Sequence, residues 1–555
     1  MSAEYTWKGT VAATAIVSAY PDTSGNFWCD GAADDVEMAA AITYVGSLGG
    51  GTVFMRAGIY EGRFYIDNDN IVLRGAGKYN TVLRLPALPQ DTKAQTLTIV
   101  ADYVTIQDLQ VDGNRNNQTF TIPTGGQCDG IAIYGDYYTI ENCYVHDTIN
   151  HGIIGWDIAA TLANGANAIR NARAAVHDNQ ILYNVVENVG HSSYISVSID
   201  SAFVSYNIKQ IGNTVLGDGL YSAGIGGHAL DNSIISNNYI YNIVGTAIGV
   251  SGGEGVVVSN NVIRDFIGDD VAQKAAISIV RTDDVLGHGD TRNIDIIGNV
   301  VENTTGTWGM GVRLYGTATY PISDINVEGN IFRDIAGASC IMGRNCYDVK
   351  ISDNIIVAKT GNSYGIRFES NGNSDRIFID SNDIRHQGAG VWIQLGDNFN
   401  IINNDIEYNG DATAAWHVLI DASVLTGIVR DNRLLGATTN PAIVADNLTI
   451  QGNRGYNPIG IIATPFDTPN TLIEINGVAA TPVASTDYVV ENADIVISST
   501  NSGGVDCAIL VKDPTGNSVL QAALANIEYM YVPRGFQINW GAFTGAAPTV
   551  TVAFI

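Results

Sequence analysis

Apolar and polar positions alternate along most of this chain, in short runs that are separated by Gly, Asn and Asp. From about residue 50 to about residue 460 these runs are rich in Ile and Val, and hardly any of them has the spacing of a helix. Alternation with a period of two indicates strands that send one side chain to a core and the next to solvent. The pattern therefore predicts an all-β protein built from many short strands.

An asparagine recurs in these runs, as in IISNNYI, VVSNNVI, ISDNII and IINNDI. Successive steps of 23, 38, 31, 24, 28, 22, 28 and 21 residues separate the members of the series Asn238, Asn261, Asn299, Asn330, Asn354, Asn382, Asn404, Asn432 and Asn453. Such a period is typical of a solenoid with loops of variable length, and the leucine frame of leucine-rich repeats is absent. We predict a right-handed parallel β-helix over residues 50–460. Each asparagine is expected to adopt the left-handed backbone region at a tight turn and to bond to its counterpart one coil away.

One amphipathic segment precedes the repeats. The run DDVEMAAAITYVGSL predicts a helix over residues 34–48, with acidic residues in its first turn and Val36, Ala39, Ala40 and Val45 facing inward. A β-helix exposes an apolar end and unpaired strand edges, which need a cover. Residues 1–49 are therefore predicted to form an N-terminal segment with a capping helix.

The pattern of apolar runs changes after about residue 462. Following the link TPFDTPNTL, alternating runs such as ADIVISST and PTVTVAFI are separated by Asn, Gly and Pro, without the repeated asparagine. Residues 463–555 are predicted to form a C-terminal β-sandwich, a candidate trimerisation or receptor-binding module. Its apolar last strand is expected to be buried, either inside the sandwich or between subunits.

Composition and charge narrow the classes of partner. The 28 basic and 56 acidic residues give a net charge of −28, which disfavours nucleic acid and anionic membranes. No apolar run is long enough to span a bilayer, and the first residues lack the pattern of a secretory signal peptide. The six cysteines have no paired metal-binding spacing, so neither a metal nor a cofactor is predicted.

Residues 28–114 carry a family resemblance. The segments CDGAADDVEMAAAI, GGGTVFMRAGIYEG, NIVLRGAG and YVTIQDLQVDGN resemble the beginning of pectate-lyase-like right-handed β-helix proteins. That superfamily includes the spikes of tailed viruses and secreted polysaccharide lyases, hydrolases and epimerases. The resemblance implies a protein that handles polysaccharide, commonly as a trimer when it belongs to a virion. Motifs that fix one chemistry within the superfamily do not match, so no single activity is selected.

A candidate binding surface follows from strands of the form small, apolar, outward, apolar. GVRL, GIRF and GVWI place Arg313, Arg367 and Trp392 at the outward position, and stacking of the coils predicts that these residues share one ridge, with Trp308 and Arg344 close in sequence. An indole stacks on a sugar ring, and guanidinium groups hold hydroxyls or a carboxylate. A row of solvated arginines beside an isolated tryptophan is the alternative interpretation.

Candidate catalytic residues precede the outward strands of other coils, namely Asp129, His151, His191, Asp218 and Tyr221. Hydrolysis of a glycosidic bond needs two carboxylates, whereas elimination next to a uronic acid needs a base such as His or Tyr and a cation on the carboxylate. Either scheme is compatible with these residue types. Side chains at β-helix turns also bond to backbone amides, which is the alternative role for each of them.

The predicted function is tailspike-like binding of a surface polysaccharide together with its depolymerisation, by hydrolysis or by β-elimination. Two alternatives stay open, a non-catalytic virion fibre or adhesin and a secreted polysaccharide lyase or epimerase. The expected setting is a virion or another extracellular assembly, in which a homotrimer is closed by the C-terminal modules.

Overall fold

The structure of the protein is a computed structural model, and it divides the chain into two units. Unit 1 comprises residues 1–267 and 284–289, and unit 2 comprises residues 268–283 and 290–555. The structure describes residues 13–31, 33–89, 94–119, 128–155, 176–190, 196–201, 205–220, 222–268, 275–281, 291–306, 309–359, 364–410, 415–421, 423–424, 426–435, 443–445, 449–451 and 453–455, and beyond these the C-terminal strands given below. Within the described part, no helix has the length and apolar character needed to cross a membrane.

Unit 1 is built from three parallel sheets, to which successive coils contribute one strand each. Sheet A contains Ala13–Ser18, Phe27–Trp28, Gly51–Met55, Ile71–Gly75, Thr105–Gln107, Thr139–Glu141, Gln180–Leu182, Lys209–Ile211, Ile234–Ser236 and Glu254–Ser259. Sheet B contains Gly58–Glu61, Thr81–Arg84, Gln110–Asp112, Tyr144–Thr148, Val185–Val189, Thr214–Leu216, Tyr239–Tyr241 and Val262–Arg264. Sheet C contains Phe64–Ile66, Leu97–Ile99, Ile131–Ile133, Ile153–Gly155, Ser196–Ser201, Ser222–His228 and Ile248–Ser251. Two smaller elements are the sheet of Val176–His177, Ser205–Tyr206 and Leu230–Asp231 and the 3-10 turn Arg115–Asn117.

The core of unit 1 is a stack of aliphatic side chains. In sheet A, Val53 pairs with Leu73, which pairs with Ile106, and the series continues to Ile140 and Ile181. All five side chains are fully buried. Each coil thus places the same kind of side chain directly above the previous one, so that apolar area is buried continuously along the stack.

The helix of unit 1 spans Asp35–Ser47 and packs against Ala13–Ser18, Gly51–Met55 and Phe64–Ile66. Its buried residues are Met38, Ala41, Ile42 and Val45. The predicted inward face was wrong for Val36, Ala39 and Ala40, which are exposed. Asp34 precedes the helix, and its carboxylate accepts hydrogen bonds from the backbone N–H groups of Gly31 and Glu61 at 3.1 and 2.8 Å. The helix therefore joins the first coil through its apolar face, and its role as a cap stays a prediction.

Unit 2 also has three parallel sheets, named in the same order. Sheet A contains Thr291–Ile297, Ile322–Glu328, Cys346–Ser352, Asp375–Asp380, Asp397–Ile402, Gly427–Arg430 and Thr449–Gln451. Sheet B contains Val300–Glu302, Ile331–Ile335, Ile355–Ala358, Asp383–His386, Asp405–Tyr408, Arg433–Leu435 and Arg454–Gly455. Sheet C contains Ala275–Val280, Met310–Tyr315, Ser339–Arg344, Tyr364–Phe368, Ala389–Ile393, Trp416–Ile420 and Ile443–Ala445. The predicted parallel β-helix is therefore confirmed in each unit.

The C-terminal strands of unit 2 pair mostly antiparallel, in two groups. One group contains Ile473–Ile475, Val478–Ala480, Ile495–Thr500, Met530–Val532 and Thr549–Phe554, and the other contains Tyr488–Val489, Ala508–Lys512, Ser518–Ala523 and Gln537–Trp540. The last strand, Thr549–Phe554, pairs on one side with Ile495–Thr500 and on the other with Ile473–Ile475. Both of its edges are thus occupied by strands of the same chain.

An asparagine ladder runs through each unit. It links Asn184, Asn213, Asn238 and Asn261 in unit 1 and Asn299, Asn330, Asn354, Asn382, Asn404, Asn432 and Asn453 in unit 2. After the first residue of the ladder in each unit, each Oδ1 accepts hydrogen bonds of 2.8 to 3.1 Å from the backbone N–H and the Nδ2 of the preceding ladder residue. The predicted bonding between coils is confirmed.

The left-handed backbone conformation falls one position earlier than predicted. It is adopted by the residue before the ladder asparagine, as at Asn237, Asp353, Asn403 and Asp431, whose φ angles are 56°, 57°, 55° and 56°. The turn therefore uses two residues with separate roles. The first tolerates the positive φ angle, and the second supplies the amide that bonds between coils.

Two buried histidines lie in the interior of unit 2. The Nε2 of His386 lies 3.1 Å from the Nδ1 of His417, and the two side chains are almost completely buried. Burial, followed by the nearby His417, lowers the pKa of His386 well below its ordinary value. The imidazole is therefore neutral in the folded protein and takes up a proton more readily when the chain unfolds.

We expect acid to destabilise unit 2 through this pair. The pKa of His386 is lower in the folded state than in the unfolded state. Its contribution to the free energy of unfolding is therefore constant above about pH 6.5 and falls by up to about 1.4 kcal/mol for each pH unit below that value. Urea unfolding at pH 7.5 and 5.5 measures the difference in the free energy of unfolding. His386→Leu should reduce this pH dependence, and an unchanged dependence in the variant would exclude the pair as its source.

Candidate functional site

The outward face of sheet C in unit 2 carries the column of side chains on which the predicted ridge depends. The register places Arg313 opposite Met342, Met342 opposite Arg367, and Arg367 opposite Trp392. Adjacent strands are about 4.8 Å apart, so Arg367 and Trp392 are immediate neighbours and Arg313 lies two strands from Arg367. The column is half-buried rather than fully exposed, and Met342 in its middle is buried.

Trp392 is held on three sides. The Tyr364 ring packs edge-on against the indole at a centroid distance of 4.8 Å, and the Arg367 guanidinium carbon lies 5.0 Å from the indole centre. Its Nε1 donates a hydrogen bond to Asp421 Oδ1 at 3.1 Å. These contacts and the bonded polar edge fix the orientation of the indole ring, which is half-buried.

Arg367 is held by two neighbours. Its Nε and Nη2 both donate to Gln394 Oε1, at 3.0 and 2.9 Å, and its Nη2 lies 3.8 Å from Glu369 Oε1. Both the Arg367 and Glu369 side chains are largely shielded from solvent. Because the guanidinium is already held in one place, less side-chain entropy is lost when a ligand binds to it.

Two further arginines share one tyrosine ring. The guanidinium carbons of Arg313 and Arg344 lie 4.1 and 5.0 Å from the centre of the Tyr315 ring. Burial is the main cause that lowers the pKa of Arg313 from its ordinary value, and the charge of Arg344 contributes in the same direction. Cation–π contacts of this kind position guanidinium groups that are partly removed from water. We name the following six residues the arginine–aromatic patch: Arg313, Tyr315, Arg344, Tyr364, Arg367 and Trp392.

Sequence reasoning missed several members of this surface. Tyr315 and Tyr364 lie on the same strands as Arg313 and Arg367, two residues after and three residues before them. The available signal was the aromatic residue in GVRLY and in YGIRF. Glu369 and Asp421 add acidic partners that the predicted basic ridge did not contain, whereas Trp308 lies outside the described residues.

The predicted catalytic residues occupy different environments in unit 1. Asp129 is fully buried, and its Oδ1 accepts hydrogen bonds from Asn150 Nδ2 at 2.7 Å and from the His151 backbone N–H at 3.1 Å. Asp218 Oδ2 instead lies 3.7 Å from Arg115 Nη1. Asp129 and the His151 backbone are thus brought together, and Asp218 has another partner. His191 and Tyr221 lie outside the described residues.

The similarity of this chain to known proteins lies in its structure and not in its sequence. No protein-family model matches the chain, and no curated protein matches its sequence. Among solved structures it is similar to the A-modules of two mannuronan C-5 epimerases from Azotobacter vinelandii. One is 17% identical with a TM-score of 0.43, over 77% of this chain and 96% of that one, and the other is 16% identical with a TM-score of 0.37, over 76% and 94%. The catalytic unit of an α-1,3-glucanase from Streptomyces thermodiastaticus is 12% identical with a TM-score of 0.41, over 76% of this chain and 66% of that one. The parallel strand pairings described above define the fold of the coils as a parallel β-helix.

Proposed function

We propose that the protein binds a polysaccharide on the arginine–aromatic patch of unit 2. The observation that carries the proposal is the fixed indole of Trp392, which is braced by Tyr364 and Asp421 and lies beside the Arg367 guanidinium. An indole face covers the C–H face of a sugar ring, while guanidinium groups donate hydrogen bonds to hydroxyl or carboxylate oxygens.

The repeat of the β-helix suits a chain-like ligand. Neighbouring strands are about 4.8 Å apart, and the patch extends over the four strands from Met310–Tyr315 to Ala389–Ile393. On the second of these strands Met342 is buried, and Arg344 is the member of the patch. Successive sugars of a polymer can therefore meet successive rungs of the sheet. A single small molecule would use only part of this surface.

Trp392→Ala is expected to weaken polysaccharide binding by about 1 to 2 kcal/mol, or about 5- to 30-fold in Kd, because it removes the stacking surface. Isothermal titration with surface glycans, alginate and pectin measures the effect. Trp28→Ala is the matched control, since Trp28 is an exposed tryptophan that belongs to unit 1 and is not a member of the patch, and the variant should bind normally. Equal affinity of the wild type and Trp392→Ala would contradict the assignment.

The finer form of the proposal is a tailspike-like depolymerase, a homotrimer carried on a virion or another extracellular assembly. A non-catalytic fibre or adhesin and a secreted lyase or epimerase are the alternatives. Product analysis after incubation with the same glycans separates them. Shortened chains support depolymerisation, and binding without any change in the polymer supports the fibre.

A further inference from the structure

A second polar cluster lies on sheet B of unit 1. The register places Arg84, Asp112, His146 and Glu187 in one column on four successive strands. Val111, Val145 and Val186 alternate with them and are fully buried, so the column belongs to the outer face of the sheet. Asp112 and His146 are nevertheless less than one-tenth exposed, which is unusual for charged and titratable groups.

Hydrogen bonds fix the tautomer of His146. Its Nδ1 lies 2.7 Å from Asp147 Oδ2, and its Nε2 lies 2.6 Å from Gln110 Nε2. A carboxylate only accepts and an amide nitrogen only donates, so neutral His146 carries its proton on Nδ1 and offers the Nε2 lone pair to Gln110. Asp147 thus orients the ring, and Nε2 is the basic atom.

A proton donor lies directly against this base. The Tyr144 ring stacks on the His146 ring, with centroids 4.4 Å apart and planes inclined by 19°. The Tyr144 hydroxyl donates to Glu187 Oε2 at 2.6 Å. Burial and that hydrogen bond raise the pKa of Tyr144, so the phenol keeps its proton at neutral pH.

The nearby carboxylates each accept a hydrogen bond. The hydrogen bond from His146 lowers the pKa of Asp147, and Asp112 accepts a 2.8 Å hydrogen bond from Arg84 Nε. Glu187 acts as a hydrogen-bond acceptor towards Tyr144. Hydrolysis of a glycosidic bond requires a protonated carboxyl group as the acid. The arrangement of His146 and Tyr144 favours proton abstraction instead.

Binding groups for a sugar acid surround the pair. Tyr79 is well exposed, and its ring lies edge-on to Tyr144 at 5.5 Å. Arg84 next to Asp112 supplies a guanidinium that is about one-third exposed. An aromatic face together with a cation suits a uronic acid, whose ring stacks and whose carboxylate needs neutralisation.

We propose that this cluster is a proton-transfer site for uronic acid residues of a polysaccharide, with His146 as the base and Tyr144 as the acid. His146 Nε2 displaces its Gln110 contact and takes the proton from the carbon next to the carboxylate. The electron pair of that C–H bond forms a C=C bond as the glycosidic C–O bond breaks, and Tyr144 transfers its proton to the leaving oxygen. The tyrosinate then regains a proton while His146 releases one, so no water or redox partner is consumed. The proposal rests on the proposed function only in taking a polysaccharide as substrate.

The test incubates the full chain with alginate, polygalacturonate and hyaluronan, and with neutral dextran as a control. Ultraviolet absorbance detects the new C=C bond, and calorimetry measures binding of the same polymers. His146→Gln and Tyr144→Phe should each lower the initial rate at least about 100-fold. His177→Gln is the matched control, because His177 also stacks on a tyrosine, Tyr206, at 5.2 Å in unit 1. Circular dichroism and thermal melting verify that the variants are folded.

The possible outcomes test this proposal and the proposed function separately. Product formation that is lost in His146→Gln and Tyr144→Phe but kept in His177→Gln supports the site. Activity that survives in His146→Gln, or is lost equally in His177→Gln, overturns it. A wild type that binds a polyuronate but forms no C=C bond overturns this proposal and leaves the proposed function intact. A wild type that binds none of the polymers contradicts both.

Discussion

Replacement of Asn354 by alanine is expected to lower the free energy of unfolding by about 3 to 5 kcal/mol. The Asn354 Oδ1 accepts hydrogen bonds from the Asn330 backbone N–H and Nδ2 at 2.9 and 3.0 Å. Its Nδ2 donates to the Val327 carbonyl and to Asn382 Oδ1, both at 2.9 Å. Alanine removes all four bonds in a site that is 1% exposed and leaves buried polar groups without partners. Urea unfolding followed by circular dichroism measures the loss.

Asn371→Ala is the control for this experiment. Asn371 is exposed and lies outside the ladder, so its replacement should change stability by no more than about 0.5 kcal/mol. If Asn354→Ala were as stable as Asn371→Ala, the ladder would contribute nothing to the stacking of the coils.

Phe368→Ala should cost about 3 to 5 kcal/mol, because it opens a cavity in the centre of unit 2. Phe368 is fully buried and packs edge-on against Phe399 at 5.5 Å. A Cβ atom on Gly343 would lie 2.3 Å from the Phe368 ring, so glycine at that position lets the ring lie against the backbone. The loss is measured by urea unfolding, as for Asn354.

The matched control for Phe368 is Phe378→Ala, since Phe378 is 47% exposed on sheet A of unit 2. This variant should lose much less stability. Phe368→Leu should fall between the two, because it retains part of the volume. Equal stability of Phe368→Ala and Phe378→Ala would show that the interior tolerates the cavity by collapsing around it.

The sequence predicted the β-helix because its asparagines and β-branched runs recur at each coil. A ladder residue such as Asn382 bonds to the equivalent asparagine in the next coil, and the spacing of the repeats alone predicts this neighbour. The conformation of the turn was harder to place, since Asn403 and Asn404 are both asparagines and only one adopts a positive φ angle. Identity alone cannot distinguish two adjacent residues of the same type.

The inward face of the N-terminal helix was placed incorrectly for a related reason. Alanines fill much of DVEMAAAITYVGS, so apolarity hardly distinguishes one face from another. The larger side chains Met38 and Ile42 occupy the buried face, and Val36 is left exposed. Side-chain size does not select the face either, because Ala41 is buried and Tyr44 is exposed. Contacts with the strands of the first coil determine which face is buried, and the apolar pattern does not record them.

The sequence predicted which outward residues of the candidate site align in one column, but it did not predict the side-chain contacts that hold them. Period-two alternation aligned Arg367 with Trp392, and the register agrees with that alignment. The Trp392 indole reaches Asp421, which lies 29 residues later in sequence and follows the strand of the next coil. Such a contact depends on loop lengths between coils. The cluster of Tyr144 and His146 was not predicted, although the run CYVHDT places these two side chains on the same face of a strand.

The most direct test of polysaccharide binding on unit 2 is a crystal structure of the full chain soaked with oligosaccharides of a polymer that it binds in solution. A sugar ring stacked on the Trp392 indole, with hydroxyl or carboxylate oxygens within hydrogen-bond distance of Arg313, Arg344 or Arg367, is the predicted result. Oligosaccharide bound at another surface, with the arginine–aromatic patch empty, would contradict the proposed function.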